Sequence, residues 1–315
     1  MPNSSKPEPA PQLDVAEIEA AEEIVEQAPP AERALGEQVA AERGRGWVTA
    51  LWALPGFVWL GFFLIAPLVF IVLVSFWTYS LGAKSGFTSD WTLQNYSRLF
   101  HDSTYWHNML SSFETSLIVV AACLVFGFPV AYFLAFKVEN LRNQIALFIL
   151  ALAPFWTSFL IRSVAWTYPL NYILAKVGVA SFSSMSVRLA LIQLYILFMV
   201  TPLFFTLSQV DRAAVEAARD LGGNWWRTFR EVILPQAMPG IVIGSIFVFV
   251  LTMGEYGTVL VVGGNKIQSV GTIVNSYIQL AVQYPYGAAA AVWLVLALIA
   301  GVFVITRFSN LREEI

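Results

Sequence analysis

Charged side chains are scarce in this chain of 315 residues: Asp, Glu, Lys and Arg make up 12% of it, while apolar residues make up 57%. Soluble domains carry about 25% charged and about 45–50% apolar residues. The shortage of charge excludes an ordinary soluble protein. Several apolar runs reach the roughly 20 residues that cross a bilayer as a helix, and they predict an integral membrane protein. The net charge of -3 gives no indication of a nucleic-acid partner.

Residues that could build a reactive centre are also scarce. A single cysteine, Cys123, excludes an intrachain disulfide and a cysteine-based metal site. The two histidines, His101 and His107, match no metal motif, so we expect no metal and no cofactor. The chain has no Gly-Lys pair and therefore no G-x-x-x-x-G-K-[ST] phosphate loop. No nucleophile elbow or carboxylate pair is recognisable either, and we expect a protein that is not itself an enzyme.

The N-terminal region lacks an apolar run. Residues 1–45 are rich in Glu, Ala and Pro, and the first apolar segment begins near Trp47. A secretory signal peptide would place its apolar core near the start of the chain, so we expect none. The composition predicts a disordered cytoplasmic tail over 1–45, within which residues 13–28 could form a short helix.

Six apolar segments predict an all-α membrane protein with six transmembrane helices, because in lipid each backbone polar group needs an internal partner. These segments are 51–77, 113–136, 145–167, 188–209, 240–262 and 287–307. Pro154 and Arg162 interrupt the third. Of the 18 Lys and Arg residues, twelve lie on the side that holds both termini and the 137–144 and 210–239 loops. By the positive-inside rule this side is the cytoplasm.

The cytoplasmic loop between the fourth and fifth segments predicts two short helices. Asp211 is a plausible N-cap for the first, and Gly222 and Gly223 can end it. Asn224 can cap the second, whose apolar stripe contains Trp226, Phe229 and Ile233. Such a loop fits either a docking element or a connector that lies on the lipid headgroups.

The sequence of the first helix predicts one face of small apolar side chains and one charged face. The apolar face is formed by Ala214, Ala217, Ala218 and Leu221. On the charged face we expect Glu216 to pair with Arg212 and Arg219, which lie four and three residues away.

The same loop resembles the EAA motif of ABC importer permeases, E-A-A-x3-G-x9-I-x-L-P. Here it reads Glu216-Ala217-Ala218, three residues, Gly222, nine residues, and then Val232-x-Leu234-Pro235. Val232 stands where isoleucine is usual. The resemblance implies the type I importer permease fold, with coupling helices between transmembrane helices 4 and 5 that dock on an ATPase. The ATPase-coupling residues it implies are Glu216, Ala217, Ala218, Gly222, Leu234 and Pro235.

The resemblance also implies a domain organisation and partners. It places the first transmembrane helix and an extracytoplasmic loop at 46–110, a five-helix core at 111–309, and a cytoplasmic tail at 310–315. The partners would be two cytoplasmic ATPase subunits, a second homologous permease, an extracytoplasmic solute-binding protein and membrane lipid, with no nucleic acid. The location would be a bacterial inner membrane. A secondary transporter driven by an ion gradient is the rival, although no internal repeat supports it.

Two further stretches, 153–166 and Met253-Gly254-Glu255-Tyr256, resemble spermidine/putrescine-type permeases, although the run after Tyr256 departs from their pattern. The implied substrate is a polyamine or a similar cation; ferric iron, thiamine and phosphonates are the alternatives.

A carboxylate inside a span usually faces a cavity or a partner, so Glu255 is a candidate to meet an ammonium group. Alternatively, Glu255 pairs with a polar group of a neighbouring helix. Aromatic rings could add cation–π surfaces, and the candidate substrate path is Glu255, Tyr256, Trp156, Trp166 and Tyr168. Arg162 and Glu114 lie near span ends, where we expect them to snorkel.

Overall fold

The computed structural model describes residues 52–80 and 86–308. The tails predicted at 1–45 and 310–315, and the short helix considered at 13–28, lie outside these residues. The chain divides into two units, 1–68 and 69–315. The described part of the first unit is helical, and its side chains, such as Phe57, Trp59 and Phe62, are mostly exposed, as expected of a helix that faces lipid.

The described residues form eleven helices and a two-stranded ribbon. The helices are α1 (Trp52–Ser75), α2 (Gln94–His101), α3 (Ser103–Lys137), α4 (Leu141–Trp156), α5 (Phe159–Lys176), α6 (Ser184–Ser208), α7 (Arg212–Asp220), α8 (Trp225–Met253), α9 (Gly257–Gly263), α10 (Val270–Asn275) and α11 (Tyr284–Phe308). A π-helical turn, Ser276–Leu280, extends α10. In the ribbon, β1 (Thr78–Tyr79) pairs antiparallel with β2 (Phe87–Thr88).

Five of these helices, α1, α3, α6, α8 and α11, are long and apolar enough to span a membrane. The bent pair α4 and α5 raises the number to six if it forms one span. This result agrees with the predicted all-α membrane protein. The fifth predicted segment, 240–262, is corrected: α8 begins at Trp225, within the predicted loop, and ends at Met253, and residues 257–263 form a separate helix.

The third predicted segment, 145–167, is also corrected, because it is not one straight helix. Helices α4 and α5 meet at an angle of 87°. Pro154 lies in a 3₁₀ turn, Ala153–Trp156, that ends α4, and Thr157 and Ser158 then take extended backbone angles. Proline lacks the N–H that would continue the helix, which explains why the chain turns here.

Helices α3, α6 and α8 form the core of the second unit. Glycines on α8 let its backbone approach α6: a Cβ at Gly244 would lie 2.7 Å from Sδ of Met199, and one at Gly240 would collide with Oγ1 of Thr206. Small residues of this kind permit close helix packing inside membranes, where packing rather than the hydrophobic effect holds helices together.

The start of α3 is fixed by Asp102. Its carboxylate accepts hydrogen bonds from the backbone N–H groups of Thr104 and Tyr105, at 3.0 and 3.2 Å. It also accepts from the hydroxyls of Tyr277 and Tyr286, at 2.6 and 2.7 Å. One carboxylate therefore joins α3 to the π-helical turn after α10 and to the first turn of α11.

Candidate functional site

The loop between α6 and α8 folds as two helices joined by glycines. Asp211 caps α7 by accepting from the N–H of Ala213 at 2.9 Å, and Asn224 caps α8 by accepting from the N–H of Arg227 at 2.8 Å. Gly222 takes a left-handed φ of 83°, which glycine adopts without strain. These results confirm the two predicted caps and the predicted glycine turn.

The packing face of α7 differs from the predicted one. Val215 is buried in the core, Ala214 and Ala218 are half-buried, and Ala217 and Leu221 are exposed. The branched side chain of Val215 buries more apolar area than alanine does, so the helix turns that side inward. The four predicted residues, Ala214, Ala217, Ala218 and Leu221, therefore do not form one buried face.

The predicted pairs of Glu216 with Arg212 and Arg219 are wrong. Arg212 instead donates to the backbone oxygen of Ala135 at 3.2 Å, because its long side chain reaches back to the end of α3. Glu216 is exposed and joins neither of the two ion pairs that the described residues form. Its carboxylate is therefore available to a partner.

The second half of the loop leads directly into the membrane-spanning part of α8. Ile233 is buried, Phe229 packs edge-on against Phe128, and Trp226 is exposed. Residues Phe229–Ile233 form a π-helical turn immediately before Leu234 and Pro235. Pro235 has no N–H to donate to the preceding turn, which accounts for the loosened hydrogen bonding at this point.

Glu255, the first residue of the candidate substrate path, lies in a break and not within a helix. Helix α8 ends at Met253 and α9 begins at Gly257. The break is held in place because the backbone oxygen of Glu255 accepts from Oγ of Ser269 at 2.9 Å. This corrects the expectation that Glu255 lies inside a span.

A cleft of about 500 Å³ opens beside this break. It contains Glu255 and Trp156 of the predicted path, together with Arg162 and Tyr195. The remaining lining residues are mainly apolar and come from the end of α4, the bend that follows it, α5, α6 and α8. Tyr256, Trp166 and Tyr168 do not line it. Tyr168 instead stacks on Tyr172, with the ring centroids 6.0 Å apart.

Glu255 is held from two sides. Its Oε2 accepts a hydrogen bond from the Tyr195 hydroxyl of α6, and its Oε1 accepts from the N–H of Thr258 at 2.8 Å. The alternative reading, in which Glu255 pairs with a polar group of a neighbouring helix, is confirmed. The same carboxylate also lines the cleft, so the two readings are compatible.

The sequence did not indicate Tyr195, because a single tyrosine within an apolar helix gives no signal. Arg162 does give a signal, as a charge within an apolar run, but the predicted snorkelling does not describe its position. It lies instead in the first turn of α5 and faces the cleft. Glu114, also assigned to snorkelling, pairs with Arg188 at 2.7 Å.

Comparison with known proteins gives a consistent result. The pattern of the family described as "Binding-protein-dependent transport system inner membrane component" matches residues 124–313. The spermidine/putrescine transport system permease protein PotB of Haemophilus influenzae is 31% identical over 82% of this chain and 93% of its own length. Its namesake in Escherichia coli is 33% identical over 81% of this chain and 96% of its own length.

Among solved structures, a bacterial ABC transporter that imports the acidic polysaccharide alginate has a chain similar to this one. The TM-score is 0.59 at 16% identity, covering 88% of this chain and 100% of the other. At that identity the likeness concerns the fold alone, and it agrees with the importer permease fold that the loop motif implied.

Proposed function

Because the chain belongs to the family of binding-protein-dependent transport system inner membrane components, we propose that it is the permease subunit of an ATP-driven polyamine importer. The observation that supports the importer is the α7–α8 loop, a capped helix on which Glu216 is exposed and joins no ion pair of the described residues. The assignment of a polyamine as the substrate is supported by the relatives named for spermidine and putrescine, which match four fifths of the chain.

The loop is the proposed contact with one of the two cytoplasmic ATPase subunits. A coupling element must be rigid, and Asp211, Asn224 and the buried Val215 make it so. It must also offer unpaired polar groups, as Glu216 does. Movement at α7 reaches the membrane through α8, which runs without a gap from Trp225 to Met253. The coupling residues we assign are Glu216, Ala217, Ala218, Gly222, Leu234 and Pro235.

The remaining assignments follow from this role. The five-helix core at 111–309 works with a second, homologous permease and receives its solute from an extracytoplasmic binding protein. The first helix and its loop occupy 46–110, and both termini are cytoplasmic.

The cleft beside Glu255 is the proposed polyamine path. A carboxylate held by Tyr195 and Thr258 is an acceptor for an ammonium group, and the exposed ring of Trp156 can receive a cation. Tyr256, Trp166 and Tyr168 would extend the path where the second permease completes it.

Transport by the purified transporter in proteoliposomes tests this function. With ATP inside and loaded binding protein outside, we expect accumulation of labelled spermidine or putrescine, and we expect Glu255→Gln to reduce it at least about tenfold. Uptake driven by an ion gradient without ATP would contradict the importer. ATP-driven uptake of another solute, with no uptake of polyamines, would contradict the substrate alone.

A further inference from the structure

Arg162 carries a charge that the described part of the protein does not neutralise. Its side chain is half-buried beside the cleft, and its Nε atom is buried without a hydrogen-bond partner among the described residues. A guanidinium stays protonated in proteins, so it cannot escape this cost by losing its charge. A buried donor left unpaired is unfavourable, which suggests that Arg162 is retained for a reason other than stability.

The charge balance of the cleft identifies that reason. Among the described residues that line it, Arg162 and Glu255 are the two that carry a charge. They do not pair with each other, since the ion pairs of the described residues are Arg188–Glu114 and Arg227–Glu231. The carboxylate is held instead by Tyr195 and Thr258. The cleft thus has one fixed anion, one fixed cation and no net charge.

On the premise of the proposed polyamine importer, we propose that Arg162 is a specificity-determining residue that limits the cleft to one ammonium group at a time. An ammonium at Glu255 is attracted by the carboxylate. A second cationic centre of the same molecule, entering the same low-dielectric space, is repelled by the guanidinium. It is held at the mouth of the cleft, where the side chain of Trp156 is 88% exposed and offers a ring face.

With Arg162 in this role, the affinity of the cleft depends on the number of charges on the amine. Removing the guanidinium tightens the binding of every amine, but it tightens a triamine more than a monoamine, because the triamine brings further charges close to Arg162. A purely structural role would instead alter the Kd of all amines alike and leave their ratio unchanged. Lysine keeps the positive charge but not the planar fork, so a ratio set by the charge survives in Arg162→Lys.

Equilibrium dialysis tests this dependence of affinity on charge. Labelled butylamine, putrescine and spermidine are dialysed against the purified transporter in nanodiscs, without binding protein. We expect Arg162→Gln to lower the Kd ratio of spermidine to butylamine by about tenfold. Arg162→Lys should keep the wild-type ratio. Arg142→Gln, an exposed arginine at the start of α4, is the matched control and should also keep it.

The outcomes separate this inference from the proposed function. If the wild-type transporter binds the amines and Arg162→Gln leaves their Kd ratio unchanged, the role of Arg162 is wrong and the importer stands. A ratio that changes equally in the glutamine and lysine variants would also overturn it. If the wild-type transporter neither binds nor transports any of the three amines, the proposed substrate falls, and this inference falls with it.

Discussion

The hydroxyl of Tyr195 donates a hydrogen bond to Oε2 of Glu255 and so connects α6 to the break between α8 and α9. The next helix, α9, donates the N–H of Thr258 to the same carboxylate, and the hydroxyl of Thr258 is hydrogen-bonded to that of Ser163 of α5 at 3.0 Å. Glu255 therefore lies beside α6 and α9, and a movement of either helix changes the surroundings of its carboxylate. That is the property expected of a group that binds a solute in one state and releases it in another.

Removing the Tyr195 hydroxyl should weaken transport without removing the cleft. A hydrogen bond to a charged group contributes about 1.5–3 kcal/mol, so Tyr195→Phe should leave Glu255 less firmly placed. We expect ATP-driven polyamine uptake to fall by about tenfold or more at an unchanged amount of chain in the membrane. Tyr172→Phe, on the exposed stack with Tyr168, is the control, and an equal loss in both variants would count against this role.

Reversing the charge of Glu216 should uncouple the transporter. Its carboxylate is exposed and unpaired within the described residues, so Glu216→Lys leaves the fold intact but presents the wrong charge to the ATPase. We expect normal membrane insertion and loss of polyamine uptake. Glu139→Lys makes the same change at an exposed position outside the loop and should transport normally. Normal uptake by Glu216→Lys would contradict the coupling role.

The approach of α8 to α6 depends on a missing side chain at Gly244. A Cβ there would lie 2.7 Å from Sδ and 3.2 Å from Cα of Met199, so Gly244→Ala must push the helices apart. Overpacking of this kind costs about 1–3 kcal/mol. We expect a lower unfolding temperature in detergent. At Gly61 an added Cβ meets nothing within 4 Å, so Gly61→Ala should leave the unfolding temperature unchanged. Equal shifts of the unfolding temperature in the two variants would contradict the close packing of α8 on α6 at Gly244.

The Asp102 junction should respond to acid. Partial burial raises the pKa of this carboxyl. Hydrogen bonds from Tyr277, Tyr286 and two backbone N–H groups lower the pKa by more than burial raises it, so the pKa lies below its ordinary value. Burial, followed by the hydrogen bond to Asp102, raises the pKa of Tyr277. A depressed carboxyl pKa gives stability that is complete above the ordinary value of about 4 and is lost as the pH falls through the folded value.

This pH dependence is tested by measuring the unfolding temperatures of the wild type and of Asp102→Asn as a function of pH. We expect a constant difference in favour of the wild type between about pH 5 and 8, and a smaller one below about pH 4. The exposed carboxyl of Asp90 provides the control, Asp90→Asn. A difference that grows on acidification would contradict the assignment.

Local features were predictable from the sequence, whereas contacts between distant residues were not. The caps at Asp211 and Asn224 and the turn at Gly222 depend on neighbouring backbone atoms alone, and the structure has all three. The expected Arg212–Glu216 pair failed because the end of α3, 77 residues away, offers a carbonyl that Arg212 reaches. The Tyr195–Glu255 contact spans 60 residues, and hydropathy alone carries no information about such a partner.

The proposed transporter requires that the α7–α8 loop bind an ATPase. Affinity purification of the chain from its native membranes measures this binding. We expect an ATPase subunit to co-purify with the wild type and to be lost with Gly222→Pro, because proline cannot adopt the φ of 83° at this position. Gly178→Pro imposes the same strain at a φ of 81° outside the loop and should retain the ATPase. Recovery of the wild-type chain without any ATPase, or an undiminished ATPase with Gly222→Pro, would contradict the account.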